Sequence, residues 1–335
     1  MRRSRWLGSL GKKVLVFAAS ILVLSTLVFY IARLAPGDPL VAYYGDRVER
    51  MSTQERWRVE ERLGLHDSIA VQYVRWLESA VRGDFGLSYK YKMPVTEVIA
   101  SRVGNTLILG GLGFLLIFGG ALLLGMFCAW QEGRWLDRLV CRVGTITCAI
   151  PEFWLALLLI LIFSVELRLL PSSGAYDIGG GGSLWDRAVH LLLPMAVVVT
   201  NHLWYYAYMI RNKVLEEVRA DYILLAKAKG LSKGRILFVH ALPNILPSYL
   251  SLMAVSVPHI LGGTYVVETV FSYPGLGTLS YESARFQDYN LLMLICLLSG
   301  AVVILSNLLA QAINEAIDPR LKSPASVEEG EVVKL

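Results

Sequence analysis

Residues 211–247 read RNKVLEEVRADYILLAKAKGLSKGRILFVHALPNILP, a basic segment between two apolar runs. From Arg211 to His240 the segment holds seven Lys or Arg residues and three acidic residues, a net charge of about +4. The cytoplasmic loops of membrane proteins carry an excess of Lys and Arg. The segment is therefore predicted to be a folded cytoplasmic loop.

The local pattern of this loop predicts two short helices joined at a right-angled turn. Helical spacing over residues 221–231 places four side chains on one face, namely Tyr222, Leu225, Ala226 and Lys229. Gly230 can adopt the left-handed conformation that ends a helix, and Ser232 can cap the next one. Small residues in the first helix would let a partner protein approach its backbone closely.

The composition places the chain in the membrane. Of its 335 residues, 55% are hydrophobic, and they are gathered in long runs, unlike the dispersed apolar residues of a soluble domain. The formal charge of +5 comes from basic residues at the N-terminus and in the loops. These residues form no basic face interleaved with aromatic residues, so we expect no nucleic-acid partner. The long apolar runs lead us to expect membrane lipid around the chain.

The apolar runs predict six membrane-spanning helices, all-α in class, with both termini in the cytoplasm. The expected spans are residues 14–31, 104–130, 143–167, 191–210, 247–270 and 291–313. The first run is longer than the apolar part of a typical signal peptide, and no small-x-small cleavage site follows it. Residues 1–13 are therefore a cytoplasmic N-terminus, and 14–31 is a retained helix.

Three further segments complete the predicted organisation. Residues 32–103 are polar with spaced aromatic side chains, which indicates a small folded extracytoplasmic segment. Residues 179–182 are four consecutive glycines, which are typical of a flexible loop. Residues 318–335 are predicted to be a cytoplasmic tail, whose part from Ser323 onward is acidic, has little to bury and is predicted to be disordered.

A few polar residues inside the spans are candidates for a translocation path. Glu152 lies in the third span, where an ionisable group is costly and is by default functional; the alternative is a hydrated position near the interface. Asn201 and His202 in the fourth span either line the path or form interhelical hydrogen bonds. The five histidines form no HxxxH or HExxH pair, so no metal site is predicted. The absence of a G-x-x-x-x-G-K-[ST] motif predicts that this chain binds no ATP itself.

Several stretches resemble one protein family. DYILLAKAKGL at 221–231 and HALPN at 240–244 resemble the EAA loop in permease subunits of bacterial binding-protein-dependent ABC importers, in the dipeptide, oligopeptide and nickel branch. Leu224 and Leu225 replace the Glu-Ala pair that gives the loop its name. RLAPGDPL at 33–40, IPEFWLALLLILIFS at 150–164 and VVETVFSYPGLG at 266–277 are similar to the same branch. The resemblance covers residues 12–322 in matching order.

The resemblance implies the type I ABC importer permease fold, with a permease domain at 104–317 and its coupling loop at 211–247. In that family the loop carries a coupling helix that docks into an ATPase subunit. The residues it implies for coupling are Asp221, Tyr222, Leu225, Ala226, Ala228, Lys229, Gly230 and Leu231. Those implied at the periplasmic gate, where a binding protein docks, are Glu268, Ser272, Tyr273, Pro274, Gly275 and Gly277.

The same resemblance implies the partners and the function. They are a second homologous permease subunit, two ABC ATPase subunits that bind ATP and Mg²⁺, and an extracytoplasmic substrate-binding protein, at the bacterial inner membrane. Peptides are the expected substrate, and nickel or another small solute is the alternative. A secondary transporter or channel would need coupling charges or a filter within the spans, and an intramembrane enzyme would need a nucleophile and base at matching depth. We find neither pattern.

Overall fold

The computed structural model describes residues 2–35, 40, 44–147, 149–177 and 183–317. Within these ranges the regular structure is helical, apart from an isolated bridge between Leu87 and Pro94. The predicted tail at 318–335, the glycine loop at 179–182 and residues 36–39 of the RLAPGDPL turn lie outside the described residues. The all-α class predicted from the sequence is confirmed.

The helices are α1 (Arg2–Leu34), α2 (Thr53–Arg62), α3 (Ile69–Val81), α4 (Val95–Trp130), α5 (Trp135–Thr147), α6 (Glu152–Glu166), α7 (Leu184–Val218), α8 (Asp221–Ala228), α9 (Lys233–Val270), α10 (Leu276–Arg285) and α11 (Tyr289–Ile317). Within the described ranges, α1, α4, α7, α9 and α11 are long and apolar enough to cross a membrane. A sixth span results if α5 and α6 are counted together.

The third span differs from the prediction. A continuous helix over 143–167 is wrong, because α5 ends at Thr147 and α6 begins at Glu152. Pro151 occupies the N-cap position of α6 with φ −62° and ψ 137°, which is extended backbone. Proline also disfavours helical conformation in the residue before it. The break therefore follows from a local signal that the apolar run conceals.

The second helix of the basic loop also differs from the prediction. It is not short, because it continues without interruption from Lys233 to Val270 as α9. Residues Ile236–Ala241 form a π-helical segment within it, and Pro247 and Pro258 lie further along. Membrane helices tolerate proline where neighbouring groups and local π adjustments satisfy the freed backbone carbonyls. The loop is thus one short helix followed by the start of a span.

The chain divides into two compact units. The first comprises Met1–Gly113, Pro151–Val198 and Leu261–Ile304, and the second comprises Phe114–Ile150, Val199–Ile260 and Leu305–Leu335. In the first unit, α4, α10 and α11 share a buried apolar core. Its members are Val95, Val98, Ile99, Leu276, Leu279, Leu291, Leu294 and Ile295. This core positions the turn between α9 and α10.

The segment after the first span is folded and packs on α1. The ring of Phe29 lies 5.4 Å from that of Tyr73 and 5.7 Å from that of Trp76, measured between centroids. The Tyr73 hydroxyl is also 2.9 Å from Ser25 Oγ. Aromatic pairs of this kind stabilise a fold by about 0.5–1.5 kcal/mol beyond what the burial of their surface contributes. The spaced aromatic residues that suggested a folded segment therefore attach α3 to the first span.

Candidate functional site

The short helix α8 ends as the sequence predicts. Gly230 has φ +77°, and the Leu231 N–H donates to the carbonyl of Ala226 at 3.2 Å. Ser232 then caps α9, because its Oγ accepts from the Arg235 N–H at 3.4 Å. Glycine adopts positive φ without a Cβ clash, so this tight reversal needs no strained side chain. The predicted roles of Gly230 and Ser232 in the backbone are confirmed.

The inner face of α8 differs from the predicted contact face. Ile223, Ala226 and Ile236 form a small buried cluster, supported by Val218 and Leu231. Ala226 is therefore turned into the protein and is not available to a partner, which corrects its predicted role as a contact. The residues of α8 and its turn that are exposed include Asp221, Tyr222, Leu225, Ala228, Lys229 and Gly230.

A hydrogen-bonded network fixes α8 to its neighbours. The Tyr222 hydroxyl donates to the Glu217 carboxylate at the end of α7. Asn244 Nδ2 donates to Glu217 Oε1 at 3.1 Å and to the Tyr222 hydroxyl oxygen at 2.8 Å. Burial and the hydrogen bond to Glu217 raise the pKa of Tyr222 above its usual value. The tyrosine of DYILLAKAKGL and the asparagine of HALPN thus meet around one carboxylate.

The outer face of α8 is apolar and basic. Leu224 and Leu225 are 53% and 58% exposed, and the neighbouring Lys227 and Lys229 are exposed too. Two adjacent exposed leucines outside the long helices are unusual for a surface helix, whose apolar residues normally face the core. This face can bind a groove that offers apolar contacts and negative charge.

Two ion pairs connect the loop region to the segment around α5. Arg211 donates through Nε and Nη2 to the two oxygens of Asp137, at 2.6 and 2.8 Å. Arg219 Nη2 is 2.5 Å from Glu132 Oε1 in a more exposed pair. The sequence analysis did not identify Asp137 or Glu132. The sequence does show each of them as a single acidic residue within an arginine-rich stretch. That pattern does not indicate which arginine each acid pairs with.

The turn between α9 and α10 is organised around a buried carboxylate. Glu268 is 0% exposed; Thr106 Oγ1 donates to its Oε1 at 2.6 Å, and the Gly277 N–H donates to its Oε2 at 2.6 Å. Thr106 Oγ1 in turn accepts from the Leu276 N–H at 2.7 Å. A Cβ added at Gly275 or Gly277 would collide with this carboxylate. Glu268 therefore requires a glycine at 275, and the Cα of Tyr265 together with Glu268 requires one at 277.

Most residues predicted to meet a binding protein at this turn are buried. Glu268, Tyr273, Gly275 and Gly277 are inaccessible, and Pro274 is half-buried. Ser272 is exposed and has φ +47°. Direct contact with a docking protein is therefore wrong for these four residues, because a buried group cannot touch a partner. The gate role that the resemblance implies for them stays a prediction. Glu268 instead holds the backbone that presents Ser272 and Pro274.

The sequence of this chain matches a known protein family. Residues 121–323 match the family described as the binding-protein-dependent transport system inner membrane component. The chain belongs to this family. The family predicted from the motifs is therefore confirmed, and this inner membrane component is a multi-pass membrane protein.

Related proteins resemble it over almost the whole length. The chain is 33% identical to the oligopeptide transport system permease protein AppB of Bacillus subtilis (strain 168), over 93% of this chain and 98% of that protein. It is 31% identical to the probable peptide ABC transporter permease protein y4tP of Sinorhizobium fredii (strain NBRC 101917 / NGR234), over 88% of this chain and 93% of that protein.

A solved structure shares the fold of this inner membrane component. In the inward-facing MetNI methionine ABC transporter, one chain matches with a TM-score of 0.55 at 18% identity. The match covers 67% of this chain and 97% of that chain. The ABC importer permease fold predicted from the sequence is therefore confirmed.

The three predicted pathway residues of this inner membrane component fall in different places. Glu152 lies in the first turn of α6, and its carboxylate occupies the space that a Cβ at Gly263 would need. Asn201 and His202 belong to the other compact unit. The ring of His202 stacks on Tyr206 with 6.2 Å between centroids. Their role in a pathway stays a prediction.

Proposed function

We propose that this chain is the transmembrane permease subunit of an ATP-driven importer, in which it forms part of the path for peptides. Both relatives described above carry peptide or oligopeptide transport in their names, at 33% and 31% identity over most of the chain. Nickel or another small solute is the alternative substrate. The observation that carries the proposal is that α8 exposes an apolar and basic face while its other contacts attach it to α7 and α9.

The proposed partners are those that the family resemblance implies. Two ATPase subunits bind ATP and Mg²⁺. One would bind α8 of this chain, and the other would bind the corresponding helix of a second homologous permease subunit. An extracytoplasmic binding protein would dock beside Ser272 and Pro274, on the opposite side of the membrane from α8. Both termini are then cytoplasmic. The membrane lipid surrounds the long apolar helices.

The mechanism rests on how α8 is attached. Ile223 of α8 packs on Ile236 at the start of α9, and Tyr222 is bound to Glu217 at the end of α7. A push on α8 therefore moves the ends of two membrane-spanning helices together. Closure of the ATPase pair would switch the path between inward and outward exposure as a rigid-body change, the usual form of such two-state transitions.

The coupling role is tested by placing a negative charge on the exposed face of α8. Leu225→Glu in the complete importer, reconstituted in liposomes with its binding protein, should abolish peptide uptake and stimulated ATP hydrolysis while the subunit remains inserted. Val74→Glu is the matched control, because Val74 is a similarly exposed apolar residue, at 52%, on α3. Normal uptake with Leu225→Glu, or uptake by this chain without any ATPase, would contradict the proposal.

The substrate is tested separately. The reconstituted importer receives binding protein loaded with an oligopeptide or with nickel, and ATP hydrolysis is measured. We expect stimulation of several-fold by the peptide-loaded form alone. Stimulation by the nickel-loaded form alone would replace the peptide substrate while leaving the coupling role intact.

A further inference from the structure

Three side chains of metal-binding type converge where the chain enters α7. Asp177 precedes the helix, and Asp186 and His190 lie one turn apart within it. Each offers a ligand atom, and these atoms lie within 4.8 Å of one another. The side chain of His190 is 4% exposed, whereas that of Asp177 is 77% exposed. A buried imidazole therefore lies beneath a carboxylate that solvent can reach.

The surroundings of His190 determine which ring nitrogen carries the proton. Nδ1 lies 3.0 Å from the backbone oxygen of Asp186 and 3.1 Å from its Oδ1. Two acceptors around one nitrogen favour an N–H there, and the neutral imidazole of that tautomer offers Nε2 as a metal ligand. Histidines that bind metals characteristically donate their other N–H to a carbonyl or carboxylate in this way.

The lone pair of Nε2 faces a negative group. Among the residues that the structure describes, its polar neighbour is Asp177 Oδ1 at 3.6 Å, beyond hydrogen-bonding distance. In the neutral imidazole this lone pair and the carboxylate oxygen repel each other, and a cation bound between them would remove that repulsion. Two ligand atoms on one tetrahedral zinc ion are roughly 3–3.5 Å apart, given zinc–ligand bonds of about 2.0–2.2 Å. The observed separation is close to that value.

The three groups are also held in place before any ion arrives. The Asp177 N–H donates to Asp186 Oδ2 at 3.0 Å, and the Asp186 N–H donates to Ser183 Oγ at 3.2 Å. Asp186 therefore orients both the imidazole and the backbone of Asp177. Preorganised ligands reduce the ordering that binding would otherwise require.

We propose that Asp177 and His190 bind a divalent transition-metal cation of the zinc class, with Asp186 as the carboxylate that orients the imidazole from the side of Nδ1. Imidazole nitrogen with carboxylate oxygen is a ligand set that zinc accepts. The ion would tie residues 171–177 to the start of α7. That segment is already joined to the end of α9, because the Gly174 N–H donates to the Phe271 carbonyl at 2.9 Å. The ion thus steadies the backbone beside Ser272, independently of which substrate the importer carries.

The experiment uses the full-length protein in lipid nanodiscs, stripped with a chelator and titrated with Zn²⁺ by calorimetry. We expect one ion per chain, and a loss of affinity of at least tenfold with His190→Ala and with Asp177→Asn. His66→Ala is the matched control, since His66 is 3.4 Å from a single carboxylate, Glu60, and is 44% exposed. That variant should bind Zn²⁺ as the unaltered protein does.

A second measurement separates a metal site from a structural contact. Zn²⁺ should slow amide hydrogen exchange in residues 171–177 and in the first turns of α7, and Asp177→Asn should remove that slowing. Because the Asp177 side chain is largely exposed, this variant retains the fold even where His190→Ala does not. Absence of Zn²⁺ binding, or equal binding by the unaltered protein and Asp177→Asn, would overturn the proposal.

Discussion

Arg211 and Asp137 form a two-pronged ion pair across 74 positions of sequence, with Nε–Oδ1 at 2.6 Å and Nη2–Oδ2 at 2.8 Å. The Gly133 N–H also donates to Asp137 Oδ2 at 2.8 Å. Planar guanidinium and carboxylate groups fit each other in this bidentate arrangement. Arg211 therefore joins the end of α7 to α5 and is not part of the loop surface that a partner would meet.

The first prediction concerns the stability that this pair contributes. Asp137→Ala leaves a largely buried guanidinium without its counter-charge, which should cost about 3 kcal/mol of unfolding free energy. Denaturant or thermal unfolding of the purified protein measures the loss. Lys213→Ala is the control, because Lys213 and Glu216 form an exposed pair that should contribute at most about 1 kcal/mol. Equal losses in the two variants would contradict the prediction.

The second prediction concerns two adjacent glycines in α9. A methyl group at Gly263 would collide with the Glu152 carboxylate, whereas at Gly262 it would meet no described atom within 4 Å. Gly263→Ala should therefore destabilise the protein by about 1–3 kcal/mol through overpacking. Gly262→Ala should be neutral or stabilising by up to about 1 kcal/mol, because alanine favours helix. Identical unfolding midpoints for the two variants would contradict this prediction, because they would show that the Glu152 side chain moves aside without loss of stability.

The third prediction concerns the turn after α8. Gly230→Asp should leave the protein inserted but reduce uptake by at least tenfold, because it adds a negative charge beside the proposed ATPase contact. Aspartate tolerates positive φ better than most residues, so the local fold should persist. Gly83→Asp is the matched control: Gly83 has φ +86° against +77° at Gly230, and a Cβ added at either glycine would meet no described atom within 4 Å. Comparable loss of uptake in both variants would assign the effect to backbone strain.

The fourth prediction concerns pH and the contact between Glu282 and residues 90–91. Lys90 Nζ and the Tyr91 hydroxyl each donate to Glu282 Oε2 at 2.6 Å. Burial opposes ionisation of Glu282, but these two hydrogen bonds prevail and lower its pKa below the usual 4.5. Burial and the Glu282 carboxylate raise the pKa of Tyr91 from 10.0 to about 12.

The sign of the pH effect follows from those shifts. A lowered carboxylate pKa contributes stability above 4.5 that is lost as the pH falls through the folded-state value. The raised pKa of Tyr91 contributes stability that is complete below 10.0 and is lost as the pH rises through about 12. Glu282→Gln should therefore lower the free energy of unfolding between pH 4.5 and 10.0, by up to about 1 kcal/mol, and the difference should vanish in acid. A difference that persists below the folded-state pKa would exclude this origin.

The amino-acid sequence by itself determined the features that depend on neighbouring residues. Long apolar runs identified the membrane helices, since the thickness of the bilayer requires about 20 such residues. Gly230 and Ser232 marked the end of α8 and the start of α9, because helix caps are made within a few residues. The DYILLAKAKGL and VVETVFSYPGLG motifs were sufficient to identify the family.

The tertiary structure alone decided which polar groups meet. Glu268 was expected near a docking surface, but its partner Thr106 is 162 positions away and the carboxylate is buried between helices. The sequence did not predict that Asp177 and His190 lie together, because ligands spread over a loop and a helix have no fixed spacing. Apolar periodicity reports which face of a helix is inside, but it carries no information about the neighbouring helix. Long-range pairs therefore depend on helix packing, which only the folded chain defines.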